Sequence, residues 1–344
     1  MYLGRHILRS SLGELLRTHV PSKTIAIVTD RNVSSRYLQP LVKSIAHRGV
    51  SLYPVIMPQG ERQKTPARVN LLISQFLRDG LTRSSAVIAL GGGVVGDVAG
   101  FAAAIFRRGI PIVQVPTTLL AQVESAIGGK VGVNHPQGKN VFGAFHQPVF
   151  VFSDIEFLKT LPEREMVCGL GEMLKYALLD EKLLLFFEKN LDAIRSRNPT
   201  ILEESIFRCN TLKAQLVMED EYDRNTERGR FVLNLGHTIG HVLETCSRYQ
   251  LHHGEAVLLG LRIEIALALR IGLLDREQYQ RINVLLARVP FSPSLAGISI
   301  RSLMNAIYGH GHAVRFVLPT RIGNIRSVSD IPPSDVRAIL RSSL

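Results

Sequence analysis

The run Ala86-Val-Ile-Ala-Leu90, stopped by Gly91-Gly-Gly-Val-Val-Gly-Asp97-Val-Ala-Gly100, constrains the fold more than any other stretch of this chain. A short apolar run ending on glycine reads as a buried strand, and the glycine turn leads into a helix start. Glycines at such a junction let backbone N–H groups approach a pyrophosphate, and the helix N-terminus that follows favours negative charge. Taken alone, the turn reads equally as a tight strand-to-helix connection. A membrane span over Ala86 to Phe106 is excluded, because Asp97 lies inside it and its glycines weaken a helix. Other β-rich runs, Thr24 to Val28, Leu52 to Ile56 and Ile112 to Val115, alternate with helical stretches such as Pro66 to Leu77. That alternation predicts a parallel α/β sheet.

The second half carries Gly169-Leu-Gly-Glu172-Met-Leu-Lys175, Asn234-Leu-Gly-His-Thr-Ile-Gly-His241 and His253-Gly-Glu255. A catalytic zinc site takes three imidazole or carboxylate ligands and keeps one position open. Glu172, His237 and His253 fit that count. With eleven histidines in the chain, any one of them alone reads as an ordinary imidazole. His237 and His241, four apart, would also stack on one helix face without a metal. Thr238 stands where a protease-type zinc helix needs Glu. In the first half, Thr117, Thr118, Lys130, Lys139 and Asn140 cluster after Ile112 to Val115. Lysine offers a compact cation to phosphate, and Thr and Asn bond sugar hydroxyls, although each lysine singly reads as a solvated surface charge.

From about Phe157 the sequence turns to amphipathic segments: Glu163 to Leu179, Lys182 to Arg195, Ile201 to Met218, Thr238 to Ser247 and Ala256 to Ile271. The expected fold is α/β. A Rossmann-like, parallel-sheet dinucleotide-binding domain spans 1–154, and an all-helical metal- and substrate-binding domain spans 155–344. Phe150 to Asp154 is the expected crossover, and the active site is expected in the cleft between domains. A length of 344 residues and 46% hydrophobic content agree with two globular domains. Cys168, Cys209 and Cys246, odd in number and widely spaced, argue against a disulfide framework. Met1-Tyr-Leu-Gly-Arg-His lacks a continuous apolar stretch, so the cytoplasm is the expected compartment and no membrane partner is expected. The net charge of +12 comes without a Lys/Arg run or aromatic-interleaved patch. Nucleic acid is therefore not an expected partner, and an anionic small substrate uses part of the excess.

Across nearly its whole length the chain resembles the 3-dehydroquinate synthase family of sugar-phosphate cyclases. The matching segments run in family order through Thr29-Asp-Arg-Asn-Val33, Gly60-Glu-Arg-Gln-Lys64, the glycine turn, Pro116-Thr-Thr-Leu-Leu-Ala-Gln122, Ile127-Gly-Gly-Lys130 and Phe157-Leu-Lys-Thr-Leu-Pro162 to the metal-site segments. The resemblance implies zinc, or cobalt, at Glu172, His237 and His253. It implies NAD on Asp30, Asn32, Glu61, Lys64, Gly92, Gly93, Val94, Asp97, Thr117, Thr118 and Lys139, with Phe157, Thr160, Leu161 and Glu165 completing the pocket. Substrate contacts implied in the same way are Glu124, Lys130, Asn140, Lys175, Lys213, Arg230, Asn234 and His241, with Arg108 reaching in from the second subunit of a homodimer. Lys213 and Arg230 would hold a carboxylate. Catalytic roles fall to Lys175, His241 and Glu227. His241 would transfer a proton near the phosphate, since imidazole titrates near neutral pH. The implied reaction converts a heptulosonate phosphate to 3-dehydroquinate by transient oxidation at C4, phosphate elimination, re-reduction and aldol closure, without net redox change.

Three positions depart from the family pattern. Glu124 stands where the family usually has Asp, and the extra methylene displaces that contact by roughly 1 Å. Tyr308-Gly-His-Gly-His-Ala-Val-Arg315 replaces an Asp-Lys-Lys segment, leaving His310 or His312 in place of a phosphate-binding lysine. The segment Asp220 to Gly229 is about three residues long for the family, so the catalytic acid is open among Glu221, Asp223 and Glu227, with Glu227 nearest to Arg230. Two alternatives follow: a related cyclase of secondary metabolism, of 2-deoxy-scyllo-inosose or amino-dehydroquinate synthase type, and an NAD-dependent metal alcohol dehydrogenase.

Overall fold

The apolar runs become one parallel sheet in a computed structural model of the chain, which describes all residues except 21, 46–48, 226–228, 292–294, 296 and 310–313. The strands are β1 (Tyr2–Gly4), β2 (Thr24–Asp30), β3 (Ser51–Met57), β4 (Ala86–Gly91), β5 (Ile112–Pro116), β6 (Lys130–His135), β7 (Gly138–Phe145), β8 (Phe150–Asp154), β9 (Phe316–Arg321) and β10 (Asn324–Val328). Six of them form a sheet in the order β1-β8-β5-β4-β2-β3, with every pairing parallel. β4 is buried along its whole length, as a central parallel strand covered on both faces must be. Val87 and Ala89 join the core under the Pro66–Arg78 and Gly93–Ile105 helices, while Ala86, Ile88 and Leu90 join the core on the other face. The expected crossover Phe150 to Asp154 is itself a strand of this sheet. β6 and β7 pair separately as an antiparallel hairpin.

The chain divides into two compact units, Met1–Leu161 with Leu202–Asn210, and Pro162–Ile201 with Thr211–Leu344. The break after Leu161 falls later than the expected 154. The reason is Phe157, which is buried in the first unit's core with its ring 4.7 Å from that of Tyr37. The Tyr37 hydroxyl also bonds Thr160 Oγ1 at 2.5 Å. Leu202–Asn210 joins the first unit, where Arg5 pairs with Glu203 at 2.8 Å.

The second unit is helical, with the β9–β10 hairpin added. Its helices include Glu163–Leu179, Glu181–Arg195, His237–Cys246, His253–Arg270, Arg276–Ala287, Ile300–Tyr308 and Pro333–Ser343. Local chemistry sets their starts: Asp180 accepts from Leu183 N–H at 2.7 Å and Asp275 from Gln278 N–H at 2.8 Å, as N-caps do. Two helices begin earlier than their apolar patterns predict, at His237 and His253. Gly236 precedes the first in the left-handed conformation, and Glu255 reaches back to the His252 N–H at 2.8 Å before the second. Both histidines among the three expected metal ligands therefore occupy the first residue of a helix. Among the described residues, no helix is long and apolar enough to cross a membrane.

Candidate functional site

In the second unit, Glu172 lies on the Glu163–Leu179 helix with no exposed surface. Its Oε1 lies 3.2 Å from His253 Nε2 and 3.4 Å from His237 Nε2. The opposite nitrogen of each ring identifies the tautomer. His237 Nδ1 is 3.0 Å from the Leu235 carbonyl, which can only accept, so that nitrogen carries the proton. His253 Nδ1 donates in the same way to Glu244 Oε2 at 3.1 Å. Two imidazole lone pairs and a carboxylate oxygen thus converge. Burial favours the neutral form of Glu172, but Lys175 and the two histidines outweigh it and hold the carboxyl well below its ordinary range. Burial also pushes the His237 imidazole down, toward the neutral form, against the pull of Glu172. Without a metal, protons on the imidazoles link them to the carboxylate; a divalent cation displaces those protons, and the converging N, N, O donor set suits zinc or cobalt.

Glycines permit this convergence. A Cβ on Gly254, beside His253, would stand 2.0 Å from the Cys168 carbonyl oxygen, and one on Gly171, beside Glu172, 2.3 Å from the Gly254 oxygen. The helices carrying two of the donors therefore touch backbone to backbone. The His237 helix is drawn in likewise, since a Cβ on Gly260 would lie 1.9 Å from the Gly236 oxygen.

Of the other expected residues, Lys175 is fully buried with its Nζ 2.6 Å from Glu172 Oε2. His241 is exposed, its ring 5.2 Å from His237 and 5.6 Å from His253, and all three rings offer nitrogens within 4.8 Å of one another. Asn234, His237 and His241 share a cavity of about 360 Å³ with Asp223, Thr238 and Arg315. Lys213 and Arg230 are buried, and Arg230 donates to the Glu221 carbonyl at 2.8 Å. Glu227, His310 and His312 lie outside the described residues. Glu165 belongs to the second unit, where it accepts from His252 at 2.9 Å.

Glu244 and Glu264 were not anticipated. Glu244 had a legible signal, standing at i, i+4, i+7 with His237 and His241 on one helix face. Glu264 had none, being a charged residue in an apolar run.

In the first unit the chain reverses its direction of winding between β2 and β4, the switch point where open α/β sheets bind ligands. Asp30 ends β2 and accepts from the Asn32 and Val33 N–H groups at 2.8 and 3.0 Å. Gly92 begins the Gly93–Ile105 helix with no side-chain cap and no acid in its first turn, which leaves its N–H donors to an anion. Gly93 and Val94 form that first turn. Thr117 follows β5 and Thr118 packs near Gly92; the buried hydroxyls of Thr117 and Thr29 have no hydrogen-bond partner among the described residues. Lys64 pairs with Asp97 at 2.5 Å. Asn134, also not anticipated, donates to Glu61 at 2.9 Å and accepts the Asn140 N–H at 2.9 Å. Lys139 follows on β7, Lys130 begins β6 exposed, and Glu124 is half-buried in the turn after β5. Phe157 and Leu161 are buried and Thr160 bonds Tyr37. Arg108 is exposed and, like Arg107, holds a left-handed backbone, a strain of about 1–3 kcal/mol per residue.

Residues 54–168 match the family described as 3-dehydroquinate synthase N-terminal, and 169–314 match 3-dehydroquinate synthase C-terminal. The 3-dehydroquinate synthase of Desulforamulus reducens is 38% identical over 347 residues, covering 99% of this chain and 96% of that protein. The one from Geobacter metallireducens is 45% identical over 277 residues, covering 80% and 76%. Among solved structures, 2-deoxy-scyllo-inosose synthase complexed with carbaglucose-6-phosphate, NAD+ and Co2+ superposes with a TM-score of 0.90 at 25% identity, covering 100% of this chain and 96% of that one. ValA, the 2-epi-5-epi-valiolone synthase of Streptomyces hygroscopicus subsp. jinggangensis 5008 with NAD+ and Zn2+ bound, gives 0.89 at 25%, with the same coverage. Glycerol dehydrogenase from Schizosaccharomyces pombe, at 0.72 and 16% identity over 99% of this chain and 88% of that one, shares the fold.

Proposed function

The chain belongs to the 3-dehydroquinate synthase family of lyases, and on that premise we propose that it converts 3-deoxy-D-arabino-heptulosonate 7-phosphate to 3-dehydroquinate and phosphate. The observation that carries this reading is the convergence of Glu172 Oε1 with the two histidine Nε2 atoms. Glu172, His237 and His253 would hold the divalent metal, zinc or cobalt. Glu172 is preferred to His241 as third ligand because its buried oxygen already faces both nitrogens, whereas His241 is exposed at the cavity. The groups at the switch point, from Asp30 through Gly92, Gly93 and Thr117, would hold NAD. When bound, NAD supplies a hydride acceptor that is restored within the cycle, and the metal supplies Lewis acidity toward substrate hydroxyls.

The chain's own side chains supply the rest. Lys213 and Arg230 are buried cations suited to the substrate carboxylate. His241, on the cavity wall, would exchange a proton near the departing phosphate. Lys175, beside Glu172, would bond a substrate hydroxyl. Lys130 and Asn140 would add phosphate and hydroxyl contacts, and Arg108 would complete the site of a partner subunit in a homodimer.

The test is phosphate release from the heptulosonate phosphate by protein loaded with NAD and zinc, with NADH absorbance and product mass followed together. Release of phosphate, no net NADH and the mass of 3-dehydroquinate are expected. Turnover of glucose 6-phosphate instead would transfer the assignment to a diverged cyclase, and steady NADH accumulation would transfer it to a dehydrogenase.

A further inference from the structure

Glu264 is a buried carboxyl group that the reaction above does not use. It lies within the His253–Arg270 helix with no exposed surface. Its Oε2 accepts the Gly236 N–H at 2.6 Å and its Oε1 the Ile239 N–H at 2.9 Å. The His237 helix has no side-chain cap of its own, since Gly236 fills that position. Its orphan N–H donors are therefore satisfied by a neighbouring helix. The Gly236 N–H belongs to the same peptide group as the Leu235 carbonyl, and that carbonyl accepts the Nδ1 proton of His237 at 3.0 Å. A continuous chain results: carboxyl group, peptide N–H, peptide C=O, imidazole.

We infer that Glu264 is the positioning residue of His237, orienting and polarising its imidazole through the Leu235–Gly236 peptide. The inference rests on the reading of His237 as a metal ligand. His253 has its carboxylate in direct contact, Glu244, while His237 has one a peptide bond away. A carboxyl oxygen accepting the peptide N–H increases the basicity of the carbonyl, most strongly once the carboxyl is ionised, because bonds in such a chain polarise one another. That carbonyl then holds the Nδ1–H tautomer and leaves Nε2 as the ligand atom, as carboxylates behind metal-bound histidines do. Gly260, one turn before Glu264, lets the two backbones close to the distance the chain needs.

The test compares Glu264→Gln with the wild-type full chain by titration with micromolar Co2+, following the visible absorption of the bound ion. It is run at pH 8.5, because burial pushes Glu264 up to about 8 against the pull of three backbone N–H donors. The amide keeps the shape but presents an NH2 to one of the two N–H groups. Co2+ affinity is expected to fall about tenfold or more, with altered absorption bands and kcat reduced more than KM changes. A variant that only loses thermal stability, with unchanged Co2+ affinity and bands, would overturn the inference. Loss of Co2+ binding in His237→Ala beside unchanged Glu264→Gln would overturn it while leaving the metal site intact; undiminished binding in His237→Ala would overturn the metal reading itself. If Glu264→Gln fails to fold, 15N NMR of wild-type histidines decides: His237 protonated at Nδ1 is expected, and protonation at Nε2 would sink the proposal.

Discussion

At Glu172 a carboxylate with no exposed surface stays ionised, against the cost of burial, because the Lys175 cation and proton-bearing imidazoles of His237 and His253 surround it. Such a group makes stability depend on pH. A carboxyl held below its ordinary range binds fewer protons in the native state than in the unfolded state, so its contribution is present above about pH 4.5 and is lost as pH falls. His237, also depressed, acts in the same direction below about 6.5, because the unfolded chain takes the proton first. Glu264 has the opposite sign: raised to about 8, it keeps its proton when the unfolded chain has released it, and stability falls as pH rises from about 4.5 to 8. The metal-free protein should therefore lose stability on the acid side below about pH 4.5 and on the alkaline side between about pH 6.5 and 8, with the opposed contributions of His237 and Glu264 between them. Glu264→Gln should flatten the alkaline side by a few kcal/mol. Urea unfolding at a series of pH values measures this, and an unchanged alkaline slope in the variant would refute it.

At the scale of elements, the site depends on helices approaching without side chains between them. Gly254→Ala places a methyl 2.0 Å from a carbonyl oxygen, so the His253 and Glu172 helices must separate. A cost of about 1–3 kcal/mol or more is expected, together with loss of Co2+ binding, read by thermal unfolding and by the same absorption titration. Full Co2+ affinity in this variant would show that the donors tolerate separation. The sequence displayed these glycines beside each ligand, but not their purpose. A glycine next to a histidine reads as a turn until the opposing helix is known. Helix existence was legible from apolar period, whereas the starts at His237 and His253 were not, because Gly236 and Glu255 set them by backbone geometry rather than by hydrophobicity.

At the scale of the whole molecule, the proposal that Arg108 serves a partner's site predicts complementation. Arg108→Ala and His237→Ala should each be nearly inactive. Unfolded together, mixed equally and refolded, they should regain about a quarter of wild-type activity, since half the dimers are mixed and one of two sites in each is whole. No recovery, with dimers shown by light scattering, would place Arg108 in its own chain's site. The sequence alone determined four strands of the parallel sheet, the glycine turn and the largely helical second half, and it singled out Glu172, His237 and His253 as candidate donors. These are carried by residue type and period, which are local properties. Only the tertiary structure decided that Phe157 carries the first unit on to Leu161, that Glu165 pairs with His252, and that Glu244 and Glu264 stand behind the two histidines. Those facts depend on which backbones can touch, and contact between residues distant in sequence leaves no periodic mark in either segment.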